Sequence, residues 1–474
     1  MFKKAAFLTL GNALTSVFYL IRNILVARLI SVEDYGIAAT FAITMALIEM
    51  MSQLGLDRMI VQDKDGDSPR MQGGLQAFQL LRGLFGMALL LAIAVPYAAF
   101  LHVPDATWAY MAIAAVPALT GLWHFDMFRA QRTMNYRPFV LAELIPAFVS
   151  LLAVYPLYLI FGDWQIMLWS ILLQHALTVL LSHLQASRPY RYTWEWSLLK
   201  RAFGFGLPLL INGLLLFAVF NGEKLIVGRE MGLASLGLFA MAFTLTLTPT
   251  LVLAKSAQSF FLPQLSKVQA DDSRFAPIAH ATLQTSLVIG LALMAGIVLF
   301  GPPFVQLALG EKYAPMLPIL TALGLVQAMR VAKTGVAVVS LARAKTGNAM
   351  IANAPRVAAL PVAWWLVTQG GGFEALIWVA IVAEAIGYAI ALRLAATQVG
   401  LPLKPMVLPV LLTTATFAAI GWQIARPRGG EGLSAHLGSP DLVWIALSFA
   451  AIVSMSALMA FLKRRGEAAH PGNN

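Results

Sequence analysis

The stretch FYLIRNILVARLI, residues Phe18–Ile30, places two arginines and an asparagine in an otherwise apolar run near the N-terminus. Together with the apolar residues before it, the stretch is long enough to cross a lipid bilayer as a helix. A charge in the hydrocarbon interior costs about 2.5–3.5 kcal/mol on insertion scales. Arg22 therefore indicates a functional requirement for a cation at membrane depth.

The composition outside this stretch is equally apolar. Of the 474 residues, 59% are hydrophobic and only 12% are charged, and the mean hydropathy is +0.76. Soluble domains carry about 25% charged residues, so this chain lacks the polar surface that water requires. The apolar runs are long and continuous rather than alternating, which predicts an all-α integral membrane protein. The chain has no cysteine, which excludes disulfides and thiolate metal sites.

About fourteen runs are long enough to be transmembrane helices. Their predicted limits are 6–30, 36–56, 74–100, 107–128, 139–161, 164–186, 202–227, 234–255, 281–301, 315–341, 349–368, 373–396, 404–425 and 441–462. The connecting segments are short, about 25 residues at most, and leave no room for a soluble catalytic domain. The longest follows the eighth span and is predicted to form a short amphipathic helix at the surface.

The basic residues give the orientation. With the N-terminus in the cytoplasm, about 22 lysines and arginines fall on the cytoplasmic side and about 4 on the outer side. This bias predicts an even number of spans with both termini cytoplasmic. It also accounts for the formal net charge of +11 without nucleic acid. The basic, apolar N-terminus is interpreted as an uncleaved first span.

An internal repeat is visible at an offset of 201 residues. NILVARLISVEDYGIAAT, residues 23–40, aligns with KLIVGREMGLASLGLFAM, residues 224–241, and pairs Gly36 with Gly237. The alignment predicts two halves of six spans in the same orientation, as in transporters built from parallel repeats with the substrate site between the halves. The predicted divisions are an N-terminal lobe at 1–200, a C-terminal lobe at 201–400, and two extra spans with a cytoplasmic tail at 401–474.

The order of three motifs resembles a known family. ARLISVEDYGIAATFAITMALIEMMSQLGLDRMIVQDKD, FNGEKLIVGREMGLASLGLFAMAF and FLPQLSKVQADD are similar to segments of Wzx-type polysaccharide flippases in the multidrug/oligosaccharidyl-lipid/polysaccharide exporter superfamily. The resemblance implies two six-helix bundles around a central cavity, with two peripheral C-terminal helices. It implies a bacterial inner-membrane flippase that moves undecaprenyl-pyrophosphate-linked oligosaccharides from the inner to the outer leaflet. A polymerase and glycosyltransferases are the partners it implies.

Ionisable side chains inside the spans indicate faces turned towards protein or a wet cavity. Four lie near span ends, where interface anchoring or local ion pairs explain them: Arg28, Asp126, Glu143 and Glu374. Arg22 is deeper, and the helical period puts it on one polar stripe with Gly11 and Thr15. The tenth span carries a second stripe, formed by Gln327, Arg330, Lys333 and Thr334.

Arg330 and Lys333 repel each other on one helical face and need an anion from elsewhere. Two sources are open: an acid on a neighbouring helix, or the pyrophosphate of a substrate, for which arginine offers a planar fork of donors and lysine a point charge. The deep cations outnumber the deep acids, which favours an anionic substrate. The candidate substrate-binding residues are Arg22, Arg82, Lys224, Arg330, Lys333 and Arg356. The candidate gating or ion-coupling residues are Glu49, Glu223 and Glu384.

Other functions follow from other interpretations of the same features. A multidrug antiporter that exchanges cations for protons or sodium would be expected to have an acidic cavity. A polysaccharide polymerase or ligase would be expected to have a large outer loop. The sequence predicts a transporter rather than an enzyme, without cofactor or metal, and no segment resembles an ATP-binding Walker loop. The sugar, the energy source and the oligomeric state stay open.

Overall fold

The computed structural model describes residues 2–52, 55–424, 446, 448–450 and 453, and their regular secondary structure is helical throughout. The chain divides into two compact units, Met1–Ala240 and Met241–Asn474. The predicted lobe limits at 200/201 and 400/401 remain predictions.

The first unit contains helices of very different lengths. In chain order they are α1 (Phe2–Leu29), α2 (Val32–Ser52), α3 (Leu56–Gln62), α4 (Pro69–Phe100), α5 (Thr107–Ile113), α6 (Ala115–Gly121), α7 (Asp126–Arg129), α8 (Arg137–Leu152), α9 (Val154–Phe161), α10 (Gln165–Leu184) and α11 (Trp196–Glu230). Helix α12 (Leu233–Lys267) begins in this unit and continues into the second. A core cluster that includes Leu56, Met71, Leu75 and Phe125 packs where α3 and α4 meet the segment before α7.

The second unit is built around α13 and α14, which pack along each other. Its helices are α13 (Asp272–Phe304), α14 (Leu317–Ala342), α15 (Gly347–Ala358), α16 (Leu360–Leu366), α17 (Gly372–Gln398) and α18 (Val407–Ile424). The chain turns between α16 and α17 at Gly370 and Gly372, whose positive φ angles of 90° and 54° are readily adopted by glycine. The most buried apolar side chains of α13 and α14, among them Leu291 and Leu325, form one core.

Helices lie over each predicted span from the first to the thirteenth, and the predicted fourteenth span and the loop before it lie outside the described residues except for a few positions. Within the described residues, eight helical segments are long and apolar enough to cross a membrane, or nine if a bent pair at 104–133 counts as one. Large apolar side chains are exposed on them, for example Ile160 and Phe300. The protein is a multi-pass membrane protein, and the number fourteen remains a prediction.

Two local expectations were wrong. The segment after the eighth span does not form a separate surface helix, because α12 continues unbroken to Lys267 and α13 begins at Asp272. Asp271 caps α13 by accepting hydrogen bonds from the backbone N–H groups of Ser273 and Arg274. The predicted fourth span is also not continuous, since α5 ends at Ile113 and α6 ends at Gly121.

The helix ends follow the repeat. Helix α1 ends at Leu29 and α11 at Glu230, and α2 begins at Val32 and α12 at Leu233, so both boundaries recur after 201 residues. The two helix starts also contact each other reciprocally. A Cβ atom added to Gly36 would overlap the carbonyl oxygen of Leu233, and one added to Gly237 would overlap the carbonyl oxygen of Val32. We call this contact the glycine crossing.

Three connecting segments of the first unit meet in one ionic network, which we call the loop network. Arg129 bonds Asp67 at 2.9 Å and Asp126 at 2.5 Å. Arg188 reaches the same Asp67 at 3.3 Å. These residues come from the α3–α4, α6–α8 and α10–α11 connections, which the distribution of basic residues predicts to share one side of the membrane. Their contact supports that common side.

Candidate functional site

Arg22 lies on the buried face of α1, with 7% of its surface exposed. Its Nη1 donates hydrogen bonds to Oε1 of Gln174 at 2.7 Å and to Oγ of Ser150 at 3.2 Å. The guanidinium also lies over the ring of Tyr19, 5.3 Å from its centroid. Gln174 in turn donates to the Tyr19 hydroxyl at 2.9 Å. Helices α1, α8 and α10 therefore hold the guanidinium with neutral groups.

The charge of Arg22 has no acidic partner among the described side chains. No carboxylate of the described residues lies within 4.0 Å of its guanidinium, and its Nε forms no hydrogen bond to them although the atom is buried. Neutral hydrogen bonds orient a cation but do not cancel its charge. A buried charge without a counter-ion is costly. The site therefore favours binding of an external anion.

The second stripe of cations forms as predicted on α14. Gln327, Arg330 and Lys333 are all buried, and Arg330 donates from Nη1 to Oε1 of Gln327 at 3.2 Å. The backbone carbonyl of Arg330 accepts a hydrogen bond from Thr334 at 3.0 Å. The i, i+3 and i+4 contacts are those of one helical face.

An acid on α17 meets this stripe. Glu384 is fully buried, and its Oε1 lies 2.5 Å from Nζ of Lys333. Its Oε2 lies 3.8 Å from Nε of Arg330 and 3.8 Å from Nε of Arg356 on α15. Arg356 is 3% exposed and also donates to the carbonyl of Ala380. We call these four residues the cation cluster.

The cation cluster joins three positive charges to one negative charge, so its own side chains sum to two positive charges. Coulomb interactions are stronger here than in water because the side chains are buried. Two arginines and a lysine around one carboxylate offer a planar set of donors together with a point charge, the combination that binds phosphate oxyanions.

The structure thus brings Arg330, Lys333 and Arg356 together with Glu384. It places Arg82 elsewhere, on α4 in a pocket of the first unit with Asp57 and His175. The side chain of Glu49, on α2, lies outside the described part of the chain.

Glu223 and Lys224, two further candidate residues, are consecutive in α11. Lys224 donates to Oδ1 of Asn221 at 3.3 Å, one helical turn away, and Glu223 is 6% exposed. Consecutive residues on a helix point about 100° apart, so Glu223 and Lys224 face different surroundings. Asn221, a residue that sequence reasoning missed, lies in this group.

Ser150 and Gln174 were also missed as partners of Arg22. Each is a polar residue inside a predicted span, which is a weak signal for a contact inside the protein. Within the described residues, no group of three or more His, Cys, Asp or Glu side chains is arranged to hold a metal ion. The chemistry that these sites support is oxyanion binding by arginine and lysine.

Comparison with known proteins gives one family match. The sequence profile of the polysaccharide biosynthesis protein family matches residues 25–318, more than half of the chain. This range contains all three motifs quoted from the sequence. An uncharacterized membrane protein from the cps region of Klebsiella pneumoniae is 20% identical over 378 residues, which cover 78% of this chain and 75% of that protein.

Two further relatives have more specific names. The succinoglycan biosynthesis transport protein ExoT of Rhizobium meliloti strain 1021 is 22% identical, over 64% of this chain and 61% of ExoT. The lipopolysaccharide biosynthesis protein WzxC of Escherichia coli K12 is 21% identical, over 66% of this chain and 63% of WzxC. The chain thus covers less than two thirds of either relative.

Solved structures share the fold. The lipid II flippase MurJ in an inward closed conformation superposes with a TM-score of 0.69 at 15% identity, over 94% of this chain and 98% of MurJ. An inward-facing multidrug resistance transporter of the MATE family and MOP superfamily gives a TM-score of 0.68 at 15% identity, over 81% of this chain and 95% of that one. At this identity the likeness establishes a membrane transporter fold.

Proposed function

Because the chain belongs to the polysaccharide biosynthesis protein family, we propose that it is a flippase for lipid-linked oligosaccharides. The family membership confirms the resemblance that its motifs indicated. The proposed substrate is an undecaprenyl-pyrophosphate-linked sugar unit, moved from the inner to the outer leaflet by alternating access for the synthesis of O-antigen, capsule or exopolysaccharide.

The observation that carries the proposal is Arg22, a buried cation whose described contacts are all neutral. A diphosphate that crosses the bilayer must exchange water for fixed cations. Arg22 in the first unit and the cation cluster in the second are two such positions. Arg82 and Lys224 are further proposed substrate contacts. The proposed gating or ion-coupling residues are Glu49, Glu223 and Glu384, the last because it already binds the cations that a diphosphate would use.

We also propose a topology for the whole chain. We place fourteen transmembrane helices as two six-helix bundles and two peripheral C-terminal helices, with lobes at 1–200 and 201–400 and extra spans at 401–474. Both termini lie in the cytoplasm, and the membrane is the bacterial inner membrane. The meeting of three loops in the loop network supports a common side for them.

The protein acts in this proposal as a transporter rather than an enzyme, and without cofactor. Glycosyltransferases would supply its substrate on the cytoplasmic side, and a polysaccharide polymerase would consume the product on the outer side. A cation antiporter of the same fold is the competing function, and it would need acids in excess. The buried charges of the cation cluster have the opposite balance.

The test is leaflet exchange in liposomes. Purified protein is reconstituted with a fluorescent short-chain polyprenyl diphosphate that carries a sugar, and the rate of leaflet exchange is measured with a membrane-impermeant quencher. The Arg22→Ala/Arg330→Ala variant removes one cation from each unit, and we expect a rate about 10- to 100-fold lower, from the loss of charge-assisted hydrogen bonds.

The matched control removes the same charge from the surface of the same two units. Arg28→Ala/Arg393→Ala, at exposed positions of α1 and α17, should exchange lipid at the wild-type rate. Equal rates in all three proteins, above those of empty liposomes, would exclude a cationic route. If liposomes that contain folded wild-type protein exchange the lipid no faster than empty liposomes do, the protein does not flip this lipid.

A further inference from the structure

A pocket of about 290 Å³ is lined by residues of the first unit. It is lined by residues of α2, α3, α4, α6, α7, α8 and α10 and by the turn between α6 and α7. Its polar lining consists of Asp57, Gln79, Arg82, Thr120, Trp123 and His175. Such a volume is at the lower end of the range of ligand pockets and suits a single small ring.

Several of these polar groups are held in place by the protein. Gln79 is 5% exposed and donates from Nε2 to the carbonyl of Thr120 at 2.8 Å, so its own carbonyl oxygen is left as an acceptor. The ring of His175 is oriented by a 2.9 Å hydrogen bond between Nδ1 and the carbonyl of Ile171. Preorganised polar groups in a small pocket are typical of a specific binding site.

Trp123 carries an unsatisfied donor. Its Nε1 is buried and forms no hydrogen bond to any residue in the described part of the chain. An indole N–H is a donor only, and burying it without an acceptor is unfavourable. Because Trp123 lines the pocket, an acceptor bound there is one source of the missing hydrogen bond.

The chemistry of the lining identifies the class of ligand. Arg82 and Trp123 supply donors, whereas Asp57 and the free oxygen of Gln79 supply acceptors. A hydroxyl group is both donor and acceptor. A ring with several hydroxyls therefore matches this mixture better than a phosphate, which only accepts, or a lipid chain, which does neither. The rings of Trp123, Phe128 and Phe139 add apolar faces to the same pocket.

We infer that this pocket binds one sugar residue of the transported lipid and discriminates between sugars. The inference rests on the proposed flippase function, and it separates two tasks. Arg22 and the cation cluster bind the diphosphate that all such substrates share, whereas the pocket, with Arg82 in its lining, recognises the sugar that distinguishes them. Trp123 and Asp57 are then specificity-determining residues.

The binding experiment uses the full chain in lipid nanodiscs. The probes are a short-chain polyprenyl diphosphate without sugar and the same lipid carrying one glucose, galactose or N-acetylglucosamine, and Kd is measured for each. We expect at least one sugar to tighten binding about fivefold or more over the sugar-free lipid. Two variants test the pocket: Trp123→Phe, which keeps an aromatic ring and removes the N–H, and Asp57→Asn. Each should bring the ratio of the sugar-free Kd to the sugar-lipid Kd closer to one. Each should also keep the Kd of the sugar-free lipid within about twofold of the wild-type value.

Trp108→Phe, at a half-exposed tryptophan of α5, is the matched control and should keep the preference. A wild-type protein that binds all four lipids equally overturns the inference, as does a preference that survives both pocket variants. Equal loss of sugar-free binding in the pocket variants also overturns it, because that result assigns the residues a general structural role.

A second readout separates this inference from the proposed function. Saturation-transfer NMR with the methyl glycosides of the same three sugars needs no lipid diphosphate. Suppose that the glycosides give a saturation-transfer signal that Trp123→Phe abolishes, but that the protein binds no polyprenyl diphosphate. This result would support sugar binding in the pocket and refute the proposed flippase function. Suppose instead that the protein binds the diphosphate, that Arg330→Gln abolishes this binding, and that there is neither a sugar preference nor a glycoside signal. This result would refute sugar recognition by the pocket and leave the proposed flippase function standing.

Discussion

Nζ of Lys333 lies 2.5 Å from Oε1 of Glu384, and the two side chains come from helices α14 and α17 of the same unit. Glu384 is also the shared partner of Arg330 and Arg356. One carboxylate thus stabilises three buried cations. Its removal should affect both the stability of the protein and the binding of anions.

We expect Glu384→Gln to lower the stability of the detergent-solubilised protein by about 3–5 kcal/mol, the usual cost of leaving buried charges without their partner. Thermal unfolding followed by tryptophan fluorescence measures the loss. A short-chain polyprenyl diphosphate should restore part of the lost Tm in the variant, because it replaces the missing anion. Glu374→Gln, at an exposed position in the first turn of α17, is the control and should unfold as wild type does.

Arg22→Gln should show how far transport depends on the charge of Arg22. Glutamine keeps a polar, uncharged side chain at this position, and the partners of Arg22 are neutral, so the substitution leaves no acid among the described residues without its partner. We expect Tm within a few degrees of wild type and leaflet exchange about 10-fold slower or more. Arg22→Lys should recover part of the rate. Full exchange by Arg22→Gln would remove Arg22 from the transport route.

The glycine crossing should not tolerate a methyl group. Gly36→Ala and Gly237→Ala each place a Cβ against a main-chain carbonyl, and overpacking of this kind costs about 1–3 kcal/mol. Chemical denaturation of the two variants measures the cost. Gly296→Ala in α13 is the matched control, because an added Cβ there has no atom within 4 Å, and it should be neutral or slightly stabilising.

Because of the loop network, the free energy of unfolding should fall as the pH becomes acidic. The hydrogen bond from Arg129 holds the pKa of Asp67 below its ordinary value of 3.8, and Arg188 adds to the effect. Because the pKa is lower in the folded protein, ionised Asp67 stabilises the fold above the unfolded-state pKa, and this contribution disappears as the pH falls through the folded-state pKa.

The stability difference between wild type and Asp67→Asn should therefore be constant near neutral pH and narrow below about pH 4. Unfolding curves across this range measure it. In an Arg129→Gln background the difference should be smaller at neutral pH, because the main partner of Asp67 is absent. A difference that does not change with pH would mean that Asp67 acts through packing rather than charge.

The helices and their polar faces could be predicted from sequence because both depend on local spacing. The stripe of Gln327, Arg330 and Lys333 follows from the helical period, and α14 presents it as one face. Helix ends were less predictable. Polar residues such as Gln258 and Gln264 continue α12 beyond the apolar run, so the run alone does not show where the helix stops.

The partners of the charged residues could not be predicted, because they depend on which helices pack together. Glu384 meets Arg356 where α15 and α17 approach closely, and at Gly387 a Cβ would overlap the carbonyl of Ala352. Nothing in the spacing of these residues shows that approach. Arg82 illustrates the same limit: its type indicated a substrate contact, but its neighbours Asp57 and His175 come from other helices.

The glycine crossing has the symmetry of an isologous interface, in which the same pair of residues meets twice. If the two halves descend from one shorter ancestor, a single glycine supplied both sides of the contact when two copies of that ancestor dimerised. A substitution of that glycine would have changed both sides of the contact in the ancestral dimer. On that descent, a substitution in the joined chain changes only one side of the contact, Gly36 or Gly237, and leaves the other side in place.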